Sequence, residues 1–351
     1  MKRMFILVAI VFLTVGALFA DEAILIDFSK LTADIVPNQN DVLTQNRATT
    51  MDYANVAGGS FTTEQKSVMK TSLAITNWDV VLASSSRTVD NQVRSYTMEA
   101  PSKQWGTVMG VRIHFPVESH NSWARIKPPF DIPAFEPQTE VDDDGNAQPS
   151  DSNGITGPSR FEAPAGDNGK VDNTQPAYGV VKNVGTLKSV AVNAYGLNFP
   201  HGLSAILIDN AGNEQVVFMG YLNYDGWGEL RWDNPSYITE VRNRELRLYP
   251  LYPNSMPFLK FGGFLIQRDA AKEGGDFIGY FKDVKIIYDK AVLDTDRDID
   301  DESIWNIIKD RETARKTWEM EQFGQNQVLR YLESQKQATE NTFTPTSTDN
   351  E

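Results

Sequence analysis

The residue types that carry out chemistry are few in this chain, and their spacing does not assemble them. Of 351 residues none is cysteine and three are histidine, His114, His120 and His201. A thiol nucleophile is therefore impossible, and a three-histidine metal site would need every histidine present. His114 falls on the polar side of an alternating strand, TVMGVRIHF, where the simple reading is a solvated side chain. The chain has no GxSxG, HExxH, GxxxxGK[ST] or strand-linked GxGxxG. The 47 Asp and Glu residues could supply the facing pair of a glycosidase, but their order along the chain singles out no two. DTDRDIDDE, 294–302, repeats acids at every second position as a calcium loop does. The places where an EF-hand needs Gly and Glu hold Ile299 and Trp305. No catalytic, cofactor-binding or metal-ligating residue is assigned, and no cofactor is expected.

Aromatic residues are the better candidates, for binding. NYDGWGELRWDNPSYI, 223–238, holds two Trp, two Tyr, two Asp and a Glu. If GELRW is a strand, Leu230 and Trp232 share one face and Glu229 and Arg231 the other, which assigns Trp232 to a core. Trp227 follows a turn signal at Asp225-Gly226, so core packing and a protein or sugar contact both stay open for it. Trp305 and Trp318, on a predicted helix, complete the candidate interaction residues.

The elements that must position these residues are mostly strands. Short β-branched and aromatic runs punctuated by Gly, Pro and Asn recur from Ala23 onward: AILIDF, WDVVLA, TVMGVRIHF, SWARIK, YGVVKN, LKSVAVNAY, LSAILID, EQVVFMG, GELRW, ELRLYPLY, FLKFGGFLIQ and FIGYFKDVKIIYD. LIDNAGNEQVVFM reads as a hairpin around Asn210 and Gly212. No run of ten residues in this body has a helical period. The fold class is all-β: a jelly-roll-like sandwich of galactose-binding or carbohydrate-binding-module type with a C-terminal α-helix. Residues 1–20 read as a signal peptide, with Lys2 and Arg3 before the apolar run MFILVAIVFLTVGALFA. The sandwich is assigned to 21–293, and within it 136–172 is an acidic, flexible insertion rich in Pro and Gly. Residues 294–340 form an acidic approach and a helix, whose thin apolar stripe is Ile304, Ile308, Trp318, Leu329 and Leu332. Residues 341–351 are a disordered tail.

Charge sorts the partners. The formal charge is -14. Segment 136–172 carries nine acids against two bases and segment 294–351 fourteen against seven, so the strand body is near neutral. A nucleic-acid partner needs a basic stripe that is absent here. No later stretch is apolar for long enough to span a bilayer, so the mature chain is expected to be exported and not membrane-anchored.

Several motifs in order carry a resemblance: GVRIHFP, NSWARIKP, NVGTLKSVAVNAYG, DGWGELRWDNPSYI, ELRLYPLYP, GGDFIGYFKDVKIIYD and DRDIDDESIW. Together they resemble the spirochaete periplasmic flagellar filament outer-layer (sheath) protein family over most of the mature chain. The resemblance implies a non-enzymatic structural subunit, located in the periplasm on the periplasmic flagellum. It implies core flagellins and copies of itself as partners, and a role in filament shape, stiffness and motility. The insertion 136–172 is not matched by it. The alternative from the residues alone is a periplasmic carbohydrate-binding module gripping glycans through Trp227.

Overall fold

A computed structural model describes residues 21–31, 35–37, 43–45, 50–52, 59–118, 120–133, 139–141, 147–149, 184–209, 212–246, 260–269, 274–290 and 304–341. The signal peptide, YGVVKN, the acidic approach 294–303, the final residues 342–351 and Asn210 lie outside them. Strict alternation in the apolar runs produces strands that bury one face. In order these are β1 (Asp21–Asp27), β2 (Asp79–Leu82), β3 (Tyr96–Ser102), β4 (Gly106–Phe115), β5 (Ser122–Lys127), β6 (Ile132–Pro133), β7 (Val184–Leu197), β8 (Gly202–Ile208), β9 (Glu214–Tyr221), β10 (Asp225–Asp233), β11 (Lys260–Arg268) and β12 (Gly275–Lys290). Helices are α1 (Thr63–Val68), α2 (Val89–Val93), α3 (Tyr237–Leu246) and α4 (Ile307–Asn341).

The strands form two six-stranded sheets, all of whose pairs are antiparallel. The first runs β10-β7-β12-β4-β3, with β1 also on β12; the second runs β9-β8-β11-β5-β2, with β6 also on β11. The fold class read from the sequence is the one observed. Val111, Ile113 and Phe115 point into the space between the sheets, as does the row Val190, Val192 and Ala194, to meet Ala124, Ile126, Leu203, Ala205 and Phe264 from the other side. Phe264 and Phe281 stack across the gap at 4.9 Å. Leu187 joins the same side although it is three residues before Val190, because a bulge between Leu187 and Ser189 restores the phase.

Three expectations are corrected. Tyr96–Ser102 is a strand that the apolar patterning passes over, since it contains Glu99 and Pro101. It lies at the edge of its sheet, the position where a proline's missing N–H costs no ladder bond. Tyr237–Leu246 is a ten-residue helix, where the sequence shows no ten-residue helical period and suggests a strand beginning at Glu245. Asn234 starts it: its Oδ1 accepts from Ser236 N at 2.9 Å and its Nδ2 donates to Glu240 at 3.1 Å, a local cap that outweighs the β-branched residues beside it. The rest of ELRLYPLY lies outside the described residues. The hairpin at Asp209 is as expected, with the Asp209 carboxylate accepting from Asn213 N at 2.8 Å.

The third correction concerns α4. It docks on the body through Met320, Phe323, Gln327, Val328 and Tyr331, whose spacing of three and four makes one helical face. Phe323 meets Phe130 at 5.7 Å, Tyr331 meets Phe61 at 6.3 Å, and Met69 is fully covered beneath them. Arg330 pairs with Asp79 at 2.6 Å. Ile304, Trp318, Leu329 and Leu332, members of the thin apolar stripe read from the sequence, point outward instead. Part of 136–172 is a small hairpin, Thr139–Val141 with Ala147–Pro149, lying against α4.

Asp131, next to the docked Phe130, illustrates what burial does to a carboxyl. Burial pushes its pKa up, against the pull of Lys260, Lys127 and Arg125. A carboxyl raised in the folded state weakens folding above its unfolded value and is harmless below it. Asp131→Asn should therefore raise stability at neutral pH, with the gain shrinking as pH falls through the carboxylate range. Urea unfolding at pH 7 and pH 4 measures this, and a loss at pH 7 would contradict it.

Candidate functional site

The outward face of the first sheet gathers the aromatic residues that the sequence scatters. Register aligns Met98 of β3 with Gly110 of β4, Gly110 with Tyr280 of β12, Tyr280 with Tyr195 of β7, and Tyr195 with Trp227 of β10. One line of side chains thus crosses five strands. Gly110 supplies its low point: a Cβ there would lie 3.3 Å from the Tyr280 ring, so the absent side chain leaves room for that ring. At the Trp227 end, Tyr224 lies on the opposite face of the strand, against Gly228, where a Cβ would come within 2.9 Å of its ring. Its hydroxyl donates to Ala194 O at 3.1 Å. That inward anchor fixes the strand's phase, sending Leu230 and Trp232 to the core and Trp227 outward with Glu229 and Arg231.

Trp105 extends the line. It ends the β3–β4 turn, where Ser102 Oγ accepts from the main-chain N–H of Gln104 and Trp105. Its ring meets Trp227 edge to face at 6.4 Å and 86°. Trp227 meets Tyr195 at 5.4 Å and 78°, and Tyr195 meets Tyr280 at 6.1 Å and 78°. Each such pair contributes about 0.5–1.5 kcal/mol beyond its burial. Neighbouring rings are therefore near-perpendicular throughout.

Beneath Trp105 lies a buried ionic group. Asp27 of β1 and Asp283 of β12 face each other in register, and both are almost completely buried. Like charges opposite one another repel, so a cation is required. Lys282 supplies it, with Nζ 2.5 Å from Asp283 and 3.7 Å from Asp27, capped by the Trp105 ring at 4.8 Å. Asn193 donates to the other Asp283 oxygen at 2.7 Å. Lys282 sits where the neighbour of β12 changes from β4 to β1. Farther along, Asp276 accepts from Arg112 at 2.7 Å and contacts His114 at 2.7 Å. The Arg112 bond, helped by His114, holds the Asp276 carboxyl below its ordinary range. His114 is thus hydrogen-bonded to a carboxylate instead of being a freely solvated ring.

Of the candidate residues, Trp227 is half-buried in this row, while Trp305 and Trp318 are on the helical segment and exposed by 66% and 60%. Asn306, at φ 51°, separates the turn bearing Trp305 from α4, and its carbonyl accepts from Asp310 N at 2.9 Å. The structure does not bring the three tryptophans together. Trp105 and Lys282 were not singled out by the sequence, because their roles depend on register between distant strands. Among the described residues no group of three or more His, Cys, Asp or Glu is arranged to hold a metal. Among them, no helix is long and apolar enough to cross a membrane.

The profile of the family described as "Flagellar filament outer layer protein Flaa" matches residues 42–297. The flagellar filament outer layer protein of Treponema pallidum (strain Nichols) is 50% identical over 352 residues, covering 98% of this chain and 97% of the relative. That of Spirochaeta aurantia is 46% identical over 350 residues, covering 98% and 95%. Among solved structures, TmCBM61 in complex with β-1,4-galactotriose aligns at a TM-score of 0.27 and 9% identity, over 61% of this chain and 90% of the other, which carries no inference about a ligand. The family model and the two relatives together cover most of the chain's length: this chain belongs to the flagellar filament outer layer protein family.

Proposed function

We propose that this protein is a non-enzymatic structural subunit of the outer layer of periplasmic flagellar filaments, exported by its N-terminal segment, and that it coats the flagellin core and stiffens and shapes the filament. The observation that carries the proposal is the near-end-to-end similarity to two proteins named for that layer. Core flagellins and copies of this chain are the partners it would meet there. Purified periplasmic filaments should contain the protein, and its absence from them would overturn the proposal.

Within this reading the exposed tryptophans of the helical segment contact the filament core. Large aromatic residues left in water on an otherwise charged helix are the residue type that anchors interfaces. Trp305→Ser with Trp318→Ser should lower the filament-bound fraction at least tenfold while leaving the unfolding midpoint nearly unchanged, as surface substitutions do. Removing the whole helix is a poorer test, because it would uncover Met69 and Phe130. Unchanged binding by the double variant would assign the core contact elsewhere.

The glycan-binding alternative rests on Trp227. A sugar needs a ring face to lie on, and a chain of sugars needs several faces in one plane. The near-perpendicular neighbours in this row do not offer that, which favours a protein contact.

A further inference from the structure

We infer that the edge strand β9 is where one copy of this chain pairs with another in the outer layer, antiparallel and about a two-fold axis; the inference rests on the function proposed above and names the contact that neighbouring copies make there. An edge strand turns alternate main-chain N–H and C=O groups away from its own sheet, and the natural occupant of such a row is another strand. Folds guard their edges with charge, proline or a covering element. Most edges here are guarded. β3 carries Glu99 and Pro101, and β10 carries Asp225, Glu229, Arg231 and Asp233. At β2 the Val80 carbonyl accepts from Gln92 Nε2 at 2.7 Å, β1 is buried from Leu25 to Asp27, and β6 is two residues long. β9, EQVVFMGY, ends its sheet with no lysine and no proline. Val217 and Met219 point into the core, while Val216 and Phe218 are 49% and 47% exposed. Among the described residues, no main-chain group of β9 is hydrogen-bonded outside its pairing with β8.

The order of residues in β9 selects its own copy. About an axis at Val217, the strand runs antiparallel to itself with Val216 opposite the partner's Phe218, Gln215 opposite the partner's Met219 and Glu214 opposite the partner's Gly220. Each exposed valine thus meets an exposed phenylalanine on one face, twice per contact, and a β-branched residue opposite an aromatic one is a favourable cross-strand pair. Glu214 is the strand's one charge. Arg125 holds it at 2.8 Å, and it falls opposite a glycine, so no charge of one copy confronts a charge of the other. Eight residues are few beside the roughly 20–30 a side of a stable interface. The pairing therefore forms where copies are already held next to one another, as subunits of a layer are.

The chain has no cysteine, so introduced thiols report on one place. In cells that assemble filaments, the full-length chain carries Val216→Cys with Phe218→Cys; a comparison chain carries Val89→Cys with Val93→Cys, at positions 84% and 73% exposed on α2. Purified filaments are reduced, then oxidised, and their proteins separated by mass. The expected product is a disulfide-linked pair of this chain, reversed by reductant and at least tenfold above the comparison. Hydrogen exchange on the unsubstituted chain is the second measurement: the main-chain amides of 214–221 should exchange at least tenfold more slowly on the filament than in the isolated protein. Unchanged exchange overturns the inference, whether or not the variant assembles. Slowed exchange with no linked pair, on filaments that carry the variant, gives the edge to a different partner and overturns pairing between copies. The outer-layer reading stands in both cases. Absence of the unsubstituted chain from purified filaments overturns both the reading and the inference.

Discussion

Lys282→Met should lower the free energy of unfolding by about 3–5 kcal/mol, the cost of removing one partner from a buried ionic group and leaving the other charge uncompensated. Two carboxylates, not one, are left behind. Asp27 and Asp283 face each other across β1 and β12 with 4% and 0% exposure, and Lys282 reaches both. Methionine preserves the length of the stem under Trp105, so the loss reports charge more than packing. For a chain of this size the unfolding midpoint should fall by roughly 10 °C. A second variant isolates the cause: Asp283→Asn added to Lys282→Met removes one of the stranded charges and should recover part of the loss. A single variant within about 2 °C of the parent, or a double variant no better than the single, would show that the lysine does not hold β1 to β12.

The contrast between this group and the rest of the fold shows what the amino-acid order makes visible. Local periodicity sufficed for the inward faces: Val111, Ile113 and Phe115 alternate with Arg112 and His114, and the structure buries the first set. It also sufficed for Trp232, because Glu229 and Arg231 fix the phase of its strand. Two elements escaped for local reasons. An edge strand may carry Glu99 and Pro101 without penalty, so β3 lacks the signature by which strands are found. The α3 helix begins at a side-chain cap on Asn234, which competes with the β-branched residues after it. The docked face of α4 follows phase more than bulk, so the stripe of large residues does not mark it. Trp318 and Leu329 are large, but Met320, Phe323, Gln327 and Tyr331 recur at the helical repeat.

The candidate site was less legible than the fold, for a geometric reason. Neighbouring rings in the row Trp105, Trp227, Tyr195 and Tyr280 are separated by 32 to 122 residues in sequence, and only the pairing of β3, β4, β12, β7 and β10 sets them in line. A strand displaced by one residue would send its member of the row into the core. The aromatic stretch around Trp227 signalled a site; its neighbours required the register.

Arg268→Met should lower stability by about 3 kcal/mol, because three main-chain carbonyls lose a charged donor and water can replace only part of it. Arg268 is 1% exposed and ends β11. Its Nη2 donates to Glu118 O at 2.8 Å and His120 O at 2.7 Å, and its Nη1 donates to Pro116 O. The side chain also lies 5.8 Å from the Phe115 ring. One guanidinium therefore holds the connection between β4 of the first sheet and β5 of the second. A planar fork with several fixed donors can bind diverging carbonyls at once; an ammonium cannot. Arg268→Lys should consequently recover less than half of the loss, although it retains the charge. The expected pattern is a midpoint lower by roughly 5–10 °C for Met, an intermediate value for Lys, and faster proteolytic cleavage between Pro116 and Asn121 in both. Lysine as stable as arginine would mean that the positive charge alone holds the loop, and an unchanged cleavage rate would mean that the loop does not depend on Arg268.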